Sequence, residues 1–213
     1  MNNTTIFLIR HAEKSRNTIY LSDKTEREKD LFRPLSVKGM RQAQKIAALD
    51  SLKNISAIYS SEFSRTIFTA IPLSEAVNRD IQITNAFNER LRRKNSCYEM
   101  PENFRIHQML DFDYKIPGGE SRREVFERFH SGITQILNTY PGKQIAVFSH
   151  KTAITMFLMQ YCEYQINQDV YMTYNGSTVF SGKWDGSPEI FQITFREKQL
   201  ITVSKIQNGC TSD

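Results

Sequence analysis

Residues 5–11 read TIFLIRH, a short apolar run of branched and aromatic side chains broken at once by Arg10 and His11. An unbroken run of this length, without polar alternation, is the pattern of a strand covered on both faces. Working outward, SVKGMRQAQKIAAL at 36–49 carries Met40, Ala43, Ile46, Ala47 and Leu49 at helical spacing, with Ser36 in position to cap the first turn. The sequence then repeats the theme. ISAIYS at 55–60 reads as a strand, 63–77 as a helix, and IQITNAF at 81–87 as a further strand or extended segment. A PGGE turn from Pro117 precedes a helix over 121–139, with Val125, Phe126, Phe129, Ile133, Ile136 and Leu137 on one face. QIAVFS at 144–149 is a strand and 151–161 a helix.

Strands alternating with helices predict an α/β fold, a three-layer sandwich whose largely parallel sheet has helices on both faces. Period-two segments in 177–206 (STVFSGKW, PEIFQITF, QLITVSKI) add antiparallel C-terminal edge strands, with turn signals at Asp185-Gly186 and Glu197-Lys198. Residues 88–120 interrupt the alternation with weak periodicity and mixed charge, and are expected to form an irregular insertion or cap over the site. The 213 residues are read as a single domain, 1–213.

With 39% hydrophobic, 24% charged and 11% aromatic residues the composition is that of a globular chain, not of a disordered one. No segment approaches the roughly 20 apolar residues of a membrane-spanning helix, and the N-terminus lacks the layout of a signal peptide; a cytoplasmic protein without a membrane partner is expected. Three widely spaced cysteines, Cys97, Cys162 and Cys210, suit neither a disulfide framework nor a zinc site. The net charge of +5 is dispersed rather than gathered into one run, which favours a small phosphorylated metabolite as partner over nucleic acid. Oligomeric state is not encoded in any of these features.

In parallel α/β sheets ligands bind outside the carboxyl ends of the strands. Those ends carry Arg10-His11, then Arg65 after SSEFS, then Glu89, then His150. Each type suits phosphoryl transfer. A guanidinium matches phosphate geometry bidentately, a neutral imidazole can attack phosphorus, a protonated one adds positive charge, and a carboxyl group can move a proton to the leaving oxygen. Glu99 and Glu102 offer alternative carboxylates in the same irregular segment, while His107 and His130 read as structural. Two histidines flanked by arginines, without HxxxH, CxxC or a carboxylate pair, make a poor cation site, so neither a metal nor another cofactor is expected.

At these residues the chain resembles the histidine phosphatase, or phosphoglycerate mutase-like, superfamily. LIRHAEKSRN at 8–17 is similar to its nucleophile loop, PLSVKGMRQA at 34–43 to its helix-opening motif and IYSSEFSRTIFTA at 58–70 to its second-arginine motif. FNER at 87–90, PGGES at 117–121 and VFSHKTAI at 147–154 resemble the remaining motifs. The resemblance implies His11 as phosphate acceptor, Arg10, Arg65 and His150 as the phosphate pocket, Glu89 as proton donor and Asn17 as a secondary contact. Ala12 and Lys151 stand where the family usually has glycine, and Lys151 would add a substrate-binding cation at the mouth. The implied activity is phosphomonoester hydrolysis through a phosphohistidine at His11. A mutase, hinted at by Asn88-Glu89-Arg90, and a non-catalytic phospho-ligand-binding member are the alternatives; length weighs against the first and retention of all four pocket residues against the second.

Overall fold

The computed structural model describes residues 3–17, 23, 25–92, 101–166, 170–182 and 188–206. Strand β1 (Asn3–Arg10) lies at the centre of a six-stranded sheet that also holds β2 (Ile55–Ser60), β3 (Ile81–Ile83), β4 (Gln144–Ser149), β8 (Ile190–Arg196) and β9 (Gln199–Ile206), in the order β3-β2-β4-β1-β8-β9. The first four are parallel and the last two antiparallel, as the period-two tail predicts.

Both faces of β1 are buried, and for a simple reason. Ile6 and Leu8 pack with Ile145 and Val147 of β4 under α5 (Arg122–Thr139) and α6 (Lys151–Leu158), through Phe129, Ile133, Ile136 and Phe157. Phe7 and Ile9, one residue out of phase, pack with Ala146 and Phe148 under α2 (Val37–Ala47) and α3 (Ser64–Val77), through Ile46, Ala70 and Leu73. Period two on a strand with helices on each side requires apolar residues at every position. The chain therefore leaves β1 and β4, which are neighbours, toward opposite faces. That is the switch point at which α/β sheets hold ligands.

Three features depart from the sequence reading. Strand β7 (Ser177–Gly182) does not join the main sheet but forms a separate antiparallel sheet with β5 (Glu163–Ile166) and β6 (Val170–Tyr174), placing Met172, Val179 and Phe180 in the larger core. The extended segment expected over 81–87 is a three-residue strand followed by a 3-10 turn, Asn85–Phe87. Helix α2 buries Gly39, Gln42, Ala43 and Ile46 and leaves Met40 exposed, because it turns its glycine, not its methionine, toward the loop after β1.

The 88–120 segment contains a short helix, α4 (Phe104–Leu110), and residues 93–100, with Cys97 and Glu99, lie outside the described residues, as do Cys210 and the Asp185-Gly186 turn. The fully buried Arg122 donates to the Met109 carbonyl and so anchors α4 to α5. A short helix α1 (Glu26–Leu31) carries a capping box between Thr25 and Glu28. Cys162 is buried with its thiol pushed up to about 11. No helix among the described residues is long and apolar enough to cross a membrane.

Candidate active site

Strand register brings the reactive residues level. Arg10 pairs with Ser149 and Ser60 with Phe148, so the chain leaves β1, β4 and β2 at nearly the same height. His11 follows on the first, His150 on the second and Ser61 on the third. The His11 amide donates to the Ser149 carbonyl and the Ser61 amide to the Phe148 carbonyl. The two imidazole centroids are 5.3 Å apart, edge to face. Arg65, in the first turn of α3, is 2% exposed.

The loop after β1 is held from below. The Glu13 carbonyl accepts the Ser36 amide, Ser36 Oγ donates to Glu13 Oε1 at 2.7 Å, and the Glu13 amide donates to Gln42 Oε1. A Cβ on Gly39 would lie 2.1 Å from the Glu13 carbonyl oxygen, so only glycine lets α2 approach this closely. The motif at 34–43 thus clamps the loop after β1. Ala12 fits where glycine is usual because its φ is not positive; its amide donates to Thr69 Oγ1, and it packs with Leu35 and Ala43. Lys151 likewise occupies ordinary helical backbone at the start of α6.

Hydrogen bonds assign both histidine tautomers. His11 Nδ1 lies 2.7 Å from the Ala12 carbonyl, which can only accept, so the proton is on Nδ1 and the lone pair on Nε2. Thr66 Oγ1 donates to the Phe63 carbonyl at 2.6 Å, hence accepts from Ser61 Oγ at 2.6 Å. Ser61 Oγ in turn accepts from His150 Nε2 at 2.8 Å. The lone pair of His150 is left on Nδ1, a buried atom without a hydrogen-bond partner. Burial, reinforced by the Arg65 charge, holds both imidazoles well below the usual histidine range, against the Ala12 contact that pulls His11 the other way.

Glu89 is half-buried beyond the 3-10 turn, which Ser149 ties to β4 by donating to the Phe87 carbonyl. Its Oε1 accepts the Ala153 amide at 3.1 Å and the Arg90 amide at 2.8 Å, and its Oε2 the Thr152 amide at 3.3 Å. A carboxylate is thus seated on the N-terminus of α6, and its charge acts on both Arg10 and Arg65. The PGGES motif supports this segment. Glu120 accepts the Leu91 amide and a bidentate pair from Arg128, and a Cβ on Gly119 would lie 2.3 Å from the Arg92 carbonyl oxygen.

The match to the histidine phosphatase superfamily (branch 1) spans residues 6–186. The chain belongs to this family. It is 31% identical over 157 residues to the protein named "Probable phosphoglycerate mutase GpmB" of Escherichia fergusonii, covering 70% of each chain. It is 28% identical over 153 residues to phosphoserine phosphatase 1 of Hydrogenobacter thermophilus, covering 68% of this chain and 70% of that one. Its fold superposes on mycobacterial glucosyl-3-phosphoglycerate phosphatase with a TM-score of 0.67 at 16% identity, covering 95% and 97% of the two chains. For the α-ribazole phosphatase of Shigella flexneri the TM-score is 0.63 at 17% identity, with 96% of each chain covered.

The structure places His11, Arg10, Arg65, His150 and Glu89 near one another at the carboxyl end of the sheet. Asn17 lies in an exposed turn whose backbone is bonded to Ser15 Oγ, and Lys151 is half-buried beside His150. Glu102 is exposed; His107 packs against Tyr114, and His130 bonds Tyr161 and stacks on Phe126, as structural histidines do. The sequence reading missed Asp30, whose carbonyl and carboxylate accept from Arg65 at 2.6 to 3.4 Å, and Lys14, 3.6 Å from the same carboxylate. It also missed Ser61, although that residue follows β2 as His11 follows β1. Among the described residues no group of three or more His, Cys, Asp or Glu could hold a metal ion.

Proposed function

We propose that the protein is a phosphomonoesterase that hydrolyses a small phosphorylated substrate through a phosphohistidine at His11. The observation that carries the reading is the fixed tautomer of a neutral His11: Nδ1–H on the Ala12 carbonyl, lone pair on Nε2. Arg10 and Arg65 neutralise the equatorial phosphate oxygens, where most of the charge of the transition state resides. His11 Nε2 attacks phosphorus, the bond to the leaving oxygen breaks, and that oxygen takes a proton from Glu89. The Ala12 carbonyl stabilises the positive charge that develops on the ring. In the second step Glu89 takes a proton from water, the resulting hydroxide attacks phosphorus, and the electron pair returns to Nε2.

His150 takes up a proton on Nδ1 together with the substrate, because the phosphate dianion offsets the desolvation that keeps the ring neutral, and the resulting Nδ1–H donates a hydrogen bond to a phosphate oxygen. Asn17 and Lys151 make outer contacts, and the described residues of 88–120 cap the site. All of the proposed groups belong to the chain, so hydrolysis is expected to survive EDTA. A mutase would share the phosphohistidine and differ in returning the phosphoryl group to the substrate.

Labelling of the phosphoenzyme tests the reading. Enzyme quenched during turnover of a radiolabelled phosphomonoester should carry acid-labile, alkali-stable label that His11→Ala lacks. Label that resists acid, or persists in the variant, overturns it. Phosphate release from phosphoglycerate isomers, measured beside their interconversion, separates hydrolase from mutase.

A further inference from the structure

Glu189 immediately precedes β8 and lies outside the family match, which ends at residue 186. It is a carboxylate only 5% exposed. Ile9 pairs with Ile190 in the antiparallel ladder, and the Arg10 amide donates to the Glu189 carbonyl at 2.9 Å, so Arg10 and Glu189 are the next directly opposed pair. Side chains so opposed share one face of the sheet, with Cβ atoms within about 5.5 Å of each other. That face is the one under α5 and α6, since Leu8 and Phe191, two residues away on either strand, lie in the larger core. Phe191 is opposed in turn by Lys205 of β9, whose Nζ donates to Glu189 Oε1 at 2.8 Å. Arg10, Glu189 and Lys205 therefore form a row of alternating charge across three strands, with one end at the proposed phosphate pocket.

A carboxylate buried in a sheet is costly to desolvate and persists where cations flank it. Lys205 is the exposed flank and Arg10 the functional one. Burial disfavours the charge on Arg10, and the charge of Glu189 opposes this more strongly than that of Glu89 does. We infer that Glu189 is a positioning residue, which from the neighbouring strand holds the Arg10 guanidinium in its phosphate-binding orientation before substrate arrives and after product leaves. A fixed negative charge at this place has two effects of opposite sign. It repels a phosphate dianion directly, and it holds in place the arginine that attracts one. The inference rests on the phosphatase reading, in which Arg10 binds phosphate.

The dissociation constant of inorganic phosphate, measured by calorimetry on the folded protein, tests it. Glu189→Gln keeps the size and removes the charge, and phosphate should then bind about tenfold more weakly, within the range of couplings between neighbouring charged residues. In an Arg10→Ala background there is no arginine to hold and only the repulsion is left, so the same substitution should leave phosphate binding unchanged or tighten it. Unchanged or tighter binding on substitution in the wild-type background marks Glu189 as a bare charge and overturns the inference. Equal weakening in both backgrounds marks a general disturbance of the site and also overturns it. Glu189→Asp keeps the charge but withdraws it by one methylene, and should weaken phosphate by about threefold; it decides the matter if Glu189→Gln does not fold, and wild-type affinity in it overturns the inference. If the wild type binds no phosphate the phosphatase reading fails, and nitrogen-15 spectra of the Arg10 guanidinium then decide. Restrained rotation in the wild type that is released in either Glu189 variant upholds the positioning role, and equal mobility in all three proteins overturns it.

Discussion

Ser61 Oγ accepts a hydrogen bond from His150 Nε2 at 2.8 Å, and the direction of that bond is dictated from the far end of a chain, by the carbonyl of Phe63 acting through Thr66. The relay leaves His150 Nδ1 as the atom that must gain a proton to meet a phosphate oxygen. Ser61→Ala removes the acceptor and leaves a buried N–H unsatisfied. A loss of roughly 1 kcal/mol is typical of one such bond, or about fivefold. The inhibition constant of inorganic phosphate should rise by about that factor, and nitrogen-15 spectra of His150 should lose the fixed Nε2–H signature. An unchanged spectrum and inhibition constant would remove Ser61 from any positioning role.

Both imidazoles lie well below the usual histidine range, because burial and then the Arg65 charge disfavour the protonated ring. A lowered value keeps His11 neutral, and so nucleophilic, as pH falls past the ordinary midpoint of about 6.5. Hence the acid limb of kcat/KM that belongs to the enzyme should lie below that midpoint. Two aryl phosphates of different acidity identify it, since a limb belonging to the substrate moves between them. Direct titration of the His11 ring by nitrogen-15 NMR gives the same quantity, and a midpoint at or above 6.5 would contradict the structure.

Arg65, a candidate for the phosphate pocket, is engaged by Asp30. Its Nη1 bonds the Asp30 carbonyl at 2.6 Å and approaches Asp30 Oδ1 at 3.3 Å. An incoming phosphate must compete with that carboxylate. Asp30→Asn keeps the backbone contact and removes the charge, so inorganic phosphate should inhibit several-fold more tightly, an effect of the order of a partly exposed ion pair. The gain should shrink in high salt. Weaker inhibition would mean instead that Asp30 holds Arg65 in its binding position.

The legible parts of the chain are those where one physical constraint dominates. Residues 55–60 and 144–149 are strands over their full expected length because burial on both faces concentrates apolar residues at consecutive positions, Ala57-Ile58-Tyr59 and Ile145-Ala146-Val147-Phe148. Helix α5 is legible because Val125, Phe129, Ile133 and Ile136 repeat with its period and Ser121 caps it. Strands β5 and β6 escape because EYQI is largely exposed and only Val170 and Met172 of VYMTY are buried, too short a record for period two to register. Asp30 escapes for a different reason. Its partner is 35 residues away, and nothing local in EREKDL marks a carboxylate that meets an arginine across the fold. Arg10, His11 and His150 stand at or next to a strand end, while Arg65 lies in the first turn of the helix after β2 and Glu89 beyond the 3-10 turn after β3, positions that can be counted on from the strands.

Glu89 offers the sharpest separation of chemistry from structure. Its two carboxylate oxygens accept three backbone N–H groups, from Arg90, Thr152 and Ala153. Glu89→Gln keeps the size but puts an NH2 where one oxygen stood, so an amide donor faces another donor at Thr152 or Ala153. The start of α6 should loosen slightly, by about 1 kcal/mol of stability for the lost bond. Chemistry should suffer far more, and selectively. An alkyl phosphate, whose alkoxide needs a proton in the transition state, should lose about 100-fold to 10,000-fold in kcat/KM, the range of general acid catalysis. An activated aryl phosphate, whose phenolate leaves unaided, should lose much less in the first step. Hydrolysis of the phosphoenzyme, where the carboxylate acts as base, should slow for both, so label should accumulate on His11 even while the aryl substrate reacts. A purely structural Glu89 predicts the opposite pattern: equal and small losses for both substrates, in proportion to the drop in Tm, with no accumulated label.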